Sequence, residues 1–455
     1  MTNQHDPVDA WLEREVTPLM PAPGSLDRIR TRARRRKRNQ AFVAAAGCAV
    51  IVGAAAAAPA IASALQGTAG PGHATPQTAL GSSAPSRSAR PGSTESSTAT
   101  PSPQHSTLAT GSLTSDPVPA GFRPTSVTFV GMNNGTGGVV GAVIGQAGNG
   151  KCATQYCTSL AQTPDYGSHW YGLSAPLTGG PQDSTGVSQV RFLNLRDGWA
   201  FGPGLWATTS GGWPWTKEDT YGQRVIDLEA AGGRAFAVFA TCTGAQYAGG
   251  CTAFRLYSSV AGTRTWTPVT VPSGFQVMRS AAQGTARLVI SGGTTGYLLT
   301  PNGQLLTGQV AGSSWTLAGQ APCGPGAGLL TYGPSLLLAC TSQSAPQQTV
   351  VYRSAAGVNW QRVGVVTAQG AADSVSATTT GQVVLATTEG LYYSTDGGTH
   401  WQAATVASAP AGGFSYVGMT NATQGVALPA DASLGEIFVT SDGGQTWTAS
   451  PVRSP

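Results

Sequence analysis

Seven tryptophans recur along the C-terminal three-quarters of the chain, Trp170, Trp215, Trp266, Trp315, Trp360, Trp401 and Trp447, at intervals of 45, 51, 49, 45, 41 and 46 residues. A repeat of that length is what one four-stranded propeller blade occupies, so the spacing predicts an all-β, seven-bladed β-propeller. Three copies carry a full octapeptide: Thr163-Pro-Asp165-Tyr-Gly167-Ser-His-Trp170, Ser394-Thr-Asp396-Gly-Gly398-Thr-His-Trp401 and Thr440-Ser-Asp442-Gly-Gly444-Gln-Thr-Trp447. Aspartate in a tight bend accepts the backbone N–H groups that the bend leaves unpaired, glycine supplies positive φ, and tryptophan lands on the next strand with its ring in the packing. The other copies are degenerate. Ser210 replaces the aspartate before Gly212 and Trp215, Ala355 precedes Gly357 and Trp360, the fourth copy keeps Gly312 and Trp315, and the third keeps Thr265 and Trp266.

Strand signals between the tryptophans repeat in one order. Residues 126–130, 138–144, 158–162 and 169–173 read as four strands A to D of a first blade. Residues 189–193, 198–202, 205–209 and from 215 do so in the second, and 414–417, 425–428, 436–440 and from 446 in the last. The octapeptide is then the C–D turn throughout. First and last blades each own four strands, so no strand exchange is expected, and ring closure is left to packing or to a short strand near Pro119 or Val452.

Composition divides the rest of the chain. Residues 1–40 carry nine basic and five acidic residues, eight of the nine between Arg28 and Arg38, whereas residues 119–455 carry 14 basic and 13 acidic ones. The large domain therefore lacks the electrostatic footprint of a nucleic-acid binder. Residues 41–65 contain no charge, which is long enough to span a bilayer, and the basic flank places the N-terminus in the cytoplasm. A signal peptide cleaved after Ala62-Ser-Ala64 is the alternative, but the preceding segment of 40 residues is long for that, so an uncleaved single-pass anchor is expected. Cys48 lies inside this stretch and reads as structural. Residues 66–118 are rich in Ser, Thr, Pro, Gly and Ala and read as a disordered linker. Only three of the 25 basic residues are lysine, which hints at a GC-rich genome such as that of an actinobacterium.

The expected layout is a cytoplasmic head (1–40), a membrane helix (41–65), a linker (66–118) and an extracellular propeller (119–455). Six cysteines lie beyond the span: Cys152, Cys157, Cys242, Cys251, Cys323 and Cys340. Clustered as neighbours and even in number, they fit disulfides in an oxidising compartment. Six cysteines allow 15 pairings. Blade position favours Cys152 with Cys157, Cys242 with Cys251 and Cys323 with Cys340. Zinc is disfavoured, because no histidine accompanies them and CxxC spacing is absent. In an antiparallel blade the B–C loops and D–A connections share one face, so these staples stiffen one face and the octapeptides decorate the other.

The octapeptides are Asp-boxes, the turns of sialidases and related propellers, so sialidase chemistry is the first to test. It requires an arginine cluster, a tyrosine nucleophile with its glutamate, and an acid. Phe122-Arg123-Pro124 departs from the family's early Arg-Ile/Leu-Pro motif, only Glu218, Glu229, Glu389 and Glu436 occur in the domain, and its twelve arginines show no grouping in sequence. These observations argue against sialidase. A two-carboxylate glycosidase stays open, with Asp197, Asp227, Glu229 and Asp373 as the acids outside the boxes best placed for it. His169 and His400 sit in box turns without a triad or metal pattern, Asp165, Asp396 and Asp442 read as turn residues, and residues 135–138 read as a hairpin turn, not a phosphate loop. No cofactor or metal is expected.

Strand pairs such as Ser126-Val-Thr-Phe-Val130 with Gly138-Val-Val-Gly141, and Phe192-Leu193 with Gly198-Trp-Ala-Phe-Gly202, each repeat closed by a box tryptophan, resemble the photosystem II assembly and stability factor type of propeller over residues 119–453. The resemblance implies a non-catalytic scaffold that binds protein partners. Three readings are carried forward: a membrane-anchored scaffold for an unknown protein or envelope glycan, an envelope glycosidase using two channel carboxylates, and a sensor whose cytoplasmic head recruits a partner.

Overall fold

The computed structural model describes residues 116–454, except 132–138, 149–155, 181–182, 244–249, 277–278, 281–285, 342–347 and 368–369. The head, the proposed span, most of the linker, Cys48, Cys152 and the turn at 135–138 lie outside the described residues.

The described residues form a seven-bladed β-propeller. Blade 1 is β1–β4 (Arg123–Gly131, Val139–Ala147, Cys157–Thr163, Tyr171–Leu173) and blade 2 is β5–β8 (Gln189–Phe192, Gly198–Phe201, Leu205–Thr208, Thr216–Lys217). Blade 3 is β9–β12 (Arg224–Ala231, Arg234–Cys242, Cys251–Val260, Thr267–Pro268), extended by α1 (Ser273–Gln276) and β13 (Arg279–Ser280), which pairs with β11. Blade 4 is β14–β17 (Arg287–Ser291, Thr295–Leu299, Gln304–Gln309, Thr316–Gln320), and blade 5 is β18–β21 (Gly328–Tyr332, Leu336–Thr341, Gln348–Ser354, Gln361–Thr367). Blade 6 is β22–β25 (Ala372–Ala377, Val383–Thr387, Leu391–Ser394, Gln402–Ala403). The next connector supplies β26 (Thr405–Val406), and blade 7 is β27–β30 (Phe414–Met419, Gly425–Pro429, Glu436–Thr440, Thr446–Pro451).

Within each blade consecutive strands pair antiparallel, as in β1 with β2 from Arg123 opposite Gln146 to Gly131 opposite Val139. The second strand of a blade is covered on both faces by neighbouring blades, which explains why these strands are continuous apolar runs. The five residues of β23, Val383–Thr387, are all buried, as are those of β28, Gly425–Pro429. Outer strands instead read half-polar, as in Thr316–Gln320.

The ring closes without strand exchange, as expected. Val118, Phe122, Val127, Val143 and Trp170 from the first blade pack in one core with Val426, Leu428, Ile437 and Val452 from the last. Hydrogen bonds fasten the same seam: Val118 N–H to Ser454 Oγ at 2.7 Å, and the Trp170 indole to Ser450 Oγ at 3.2 Å. Gly172 of β4 donates to the Asp116 carbonyl at 2.7 Å, so the packed domain already includes residues 116–118. That pairing protects the outer edge of blade 1, and β26 does the same for blade 7 by pairing parallel with β30.

Candidate functional site

The box turns are built by two side chains. In blade 1 the Thr163 hydroxyl donates to Asp165 Oδ1 at 2.9 Å and accepts the Gly167 N–H at 2.7 Å, while Asp165 Oδ1 also accepts the His169 N–H at 2.9 Å. Ser394 with Asp396, and Thr440 with Asp442, repeat this arrangement. The hydroxyl survives where the aspartate is lost. Thr208 Oγ1 accepts the Gly212 N–H at 3.1 Å, and Ser354 Oγ accepts that of Gly357 at 2.9 Å. Sequence reasoning included the leading Ser/Thr in the octapeptide but assigned the backbone N–H groups of the turn to aspartate, with no role for the hydroxyl.

Gly167, Gly212, Gly357, Gly398 and Gly444 have positive φ, between 82° and 121°. Gly312 does not, and the expectation that the fourth copy keeps the same bend is corrected: there Gly312 donates to the Gln309 carbonyl, closing a different turn. The two box histidines also acquire a partner that sequence did not assign. His169 Nδ1 contacts Asp165 Oδ2, and His400 Nδ1 contacts Asp396 Oδ2 at 2.6 Å.

Each tryptophan wedges its own blade against the preceding one. Trp215 packs with Leu160, Leu173 and Ala200, Trp266 with Trp199 and Phe239, and Trp315 with Phe236 and Leu306. Trp360 packs on Leu305 and Leu338, Trp401 on Val351 and Leu385, Trp447 with Val384 and Phe438, and Trp170 across the closing seam. Seven tryptophans thus occupy seven separate cores. The box glycines meet the same neighbour: a Cβ on Gly212 comes within 3.1 Å of Leu173 in blade 1, and one on Gly444 within 2.6 Å of Val384 in blade 6.

The innermost strand of a blade is a sheet edge, so N–H groups on its channel side lack ladder partners. A side chain from the preceding blade supplies the acceptor. Ser126 Oγ accepts the Val190 N–H at 3.3 Å, Ser374 Oγ that of Val417 at 3.2 Å, Ser376 Oγ that of Met419 at 2.9 Å, and Asp227 Oδ2 that of Leu288 at 2.7 Å. All seven inner strands and their flanks contribute to the wall of a central cavity of about 690 Å3.

That cavity brings together Arg191, Asp227, Glu229, Arg287, Asp373 and Tyr416. Three of the four acids picked out by sequence therefore meet. The fourth, Asp197, instead holds the turn after β5, accepting from Asn194 at 2.8 Å and from the Gly262 N–H at 3.1 Å. The view of the arginines as ungrouped is corrected too, since Arg191 of blade 2 and Arg287 of blade 4 line one channel. Among the other glutamates, Glu218 is buried 3.9 Å from Arg264.

Most of the channel charge is committed. Arg191 Nε pairs with Glu229 Oε1 at 3.0 Å and donates through Nη1 to the Val190 carbonyl at 2.9 Å. Asp227 is 8% exposed and accepts the N–H of Leu228 at 2.9 Å as well as that of Leu288. Burial pushes the carboxyls of Asp227 and Glu229 above the ordinary range, against the pull of Arg287 and Arg191 respectively. Asp373, also raised by burial against Arg287, is the channel acid that no hydrogen bond engages among the described residues.

Cys242 is bonded to Cys251 and Cys323 to Cys340, with Cα separations of 4.0 and 5.3 Å, as blade position predicted. Cys157 is disulfide-bonded as well. Cys242 and Cys251 bracket the B–C loop of blade 3, while Cys323 precedes β18 and Cys340 lies within β19, so both staples sit on the face opposite the box turns. Among the described residues no group of histidine, cysteine and acidic side chains is arranged to hold a metal.

No known protein family and no curated protein matches the chain. Solved structures resemble it at low identity. YCF48 bound to D1 peptide is 16% identical, over 72% of this chain and 95% of that one, with a TM-score of 0.45. YCF48 from Cyanidioschyzon merolae is 14% identical over 72% and 98%, with a TM-score of 0.46. An ancestral GH74 enzyme is 14% identical over 74% of this chain and 48% of its own, with a TM-score of 0.45.

Proposed function

We propose that the protein is a non-catalytic binding scaffold, held outside the cell by residues 41–65 and presenting its disulfide-stapled face and channel mouth to a protein or glycan of the envelope. The commitment of the channel acids carries this reading. A glycosidase needs two carboxyl groups free to face one scissile bond, one as acid and one as nucleophile or base. Asp227 spends both oxygens on backbone N–H groups of blades 3 and 4, and Glu229 spends one on Arg191. Asp373 alone makes no hydrogen bond among the described residues, so the channel does not present two uncommitted carboxyl groups. Covalent staples gathered on one face support the choice of that face and the oxidising side of the membrane, because loops on a rigid ring are where binding residues concentrate.

The test is incubation of the full-length protein with a washed cell-envelope fraction. Retention without release of reducing sugar is expected. Sugar release that Asp373→Asn or Glu229→Gln abolishes would establish the hydrolase and defeat the scaffold.

A further inference from the structure

The connector between blades 2 and 3 carries an aromatic ring in a position its backbone disfavours. Residues 220–223 form a tight turn, with the Gln223 N–H donating to the Thr220 carbonyl at 2.9 Å. Its central residues, Tyr221 and Gly222, have φ of 53° and 72°. Two left-handed central residues favour Asn, Asp or Gly at the first position, where a tyrosine Cβ is strained. Asp219 Oδ1 accepts the Tyr221 N–H at 2.7 Å and helps hold the turn.

The ring has a rigid base. Tyr221 stacks on Tyr257, centroids 5.4 Å apart and planes within 20°; Tyr257 lies 4.7 Å from Phe239, which in turn contacts Trp266 in the core between blades 2 and 3. Tyr221 nevertheless remains 52% exposed. A second non-glycine residue in the left-handed region, Ala253 (φ 53°), is tied to the same turn through Gln223 Nε2 at 2.9 Å, two residues beyond the Cys242–Cys251 staple. Strain of this kind persists where surrounding structure enforces it, and it concentrates at ligand sites. Asp219 is held beside the turn by its bond to the Tyr221 N–H, and Arg255 lies two residues before Tyr257 on β11, on the same face of the strand, so a carboxylate and a guanidinium flank the stacked pair.

We propose that Tyr221 is a stacking platform for a pyranose ring of a glycan, with Asp219, Arg255 and the Tyr257 hydroxyl as its polar rim. The C–H face of a sugar covers the exposed aromatic face, and its hydroxyls donate to Asp219 and accept from Arg255, both charge-assisted contacts. The opposite charges of the rim cancel, which favours a neutral polyhydroxyl ligand over an acidic or basic peptide. Two χ angles already fixed by stacking leave little rotamer entropy to lose on binding. This site rests on the scaffold reading and names its ligand class.

The experiment is calorimetric titration of the full-length protein with two probes, the β-1,4-linked tetrasaccharides of glucose and of N-acetylglucosamine. Wild type is expected to bind at least one of them. Tyr221→Trp and Tyr221→Phe should stay within about threefold of wild type, whereas Tyr221→Asn, a residue suited to the turn, should bind at least tenfold more weakly with an unchanged circular dichroism spectrum. Asp219→Asn and Arg255→Gln should weaken binding severalfold. Wild-type affinity in Tyr221→Asn, or binding of neither probe by wild type, overturns the platform. Retention on the envelope fraction is read separately: retention without tetrasaccharide binding defeats only the platform, and loss of retention defeats the scaffold.

Discussion

Asp227 Oδ2 accepts the Leu288 N–H at 2.7 Å, so a single carboxylate joins the inner strands of blades 3 and 4. Elsewhere in the ring the same task falls to serine, as in Ser126 with Val190 and Ser374 with Val417. Carboxylate oxygens reach two N–H groups at once, and Asp227 also takes that of Leu228.

Replacing Asp227 with alanine strands two N–H groups in the buried channel wall. Each unsatisfied group costs about 1–3 kcal/mol, so Asp227→Ala should lower the denaturant midpoint clearly. Asp227→Asn keeps one acceptor oxygen and should lose about half as much. Equal midpoints for wild type and Asp227→Ala would show that the carboxylate does not join the blades.

Trp447 is 1% exposed between blades 6 and 7, whereas Trp360 is only half-buried. Trp447→Ala should therefore cost about 3–5 kcal/mol, as large aromatic deletions in cores do. Trp360→Ala should cost measurably less in the same unfolding titration.

Gly444 has a φ of 94°, and an added Cβ meets Val384 at 2.6 Å. Gly312 lies outside the left-handed region, and an added Cβ there comes no nearer than 3.2 Å to any atom, the Gln309 carbonyl oxygen. Gly444→Ala should destabilise by about 2 kcal/mol from backbone strain and overpacking together, and Gly312→Ala by well under half of that. Thermal unfolding of the two variants side by side checks the contrast.

Burial pushes Glu218 up to about 7, against the pull of Arg264. Its unfolded counterpart loses the proton near 4.5. The folded state thus holds more protons between these values, and stability falls as pH rises through the window. The contribution is complete below 4.5 and lost above about 7. Glu218→Gln should flatten this slope and, above pH 7, exceed wild type in stability by at most about 3 kcal/mol at 1.36 kcal/mol per pK unit, seen as a higher unfolding temperature.

Asp396 has the opposite sign. Burial raises its carboxyl slightly, but the backbone N–H and ring of His400 and the Ser394 hydroxyl hold it well below the ordinary carboxylate range. Its contribution is present above the unfolded value of 3.8 and is lost as pH falls below it. The side chain is 42% exposed, so Asp396→Asn should reduce stability by less than about 1 kcal/mol at pH 7 and make the acid limb of the pH profile shallower.

The fold was legible because its signals are local. The indole interval counts blades, the positive-φ glycines mark turns, and B-strand runs such as Leu336–Thr341 announce burial on both faces. The staples were legible for the same reason, since Cys242 and Cys251 end and begin consecutive strands. The role of the leading Ser/Thr was not legible because a hydroxyl near a turn has several possible partners, and only the bend shows that Thr163 serves both Asp165 and Gly167.

Sequence alone determined the number of blades, the order of strands and the pairing of Cys242 with Cys251 and Cys323 with Cys340, because each depends on residues close along the chain or on a fixed period. Tertiary structure alone decided which acids meet and what they do there. Arg191, Glu229, Arg287 and Asp373 come from four different blades, and no local pattern records their convergence. Closing the ring sets edge strands side by side, and the unpaired N–H groups of each edge then dictate where Asp227 must point.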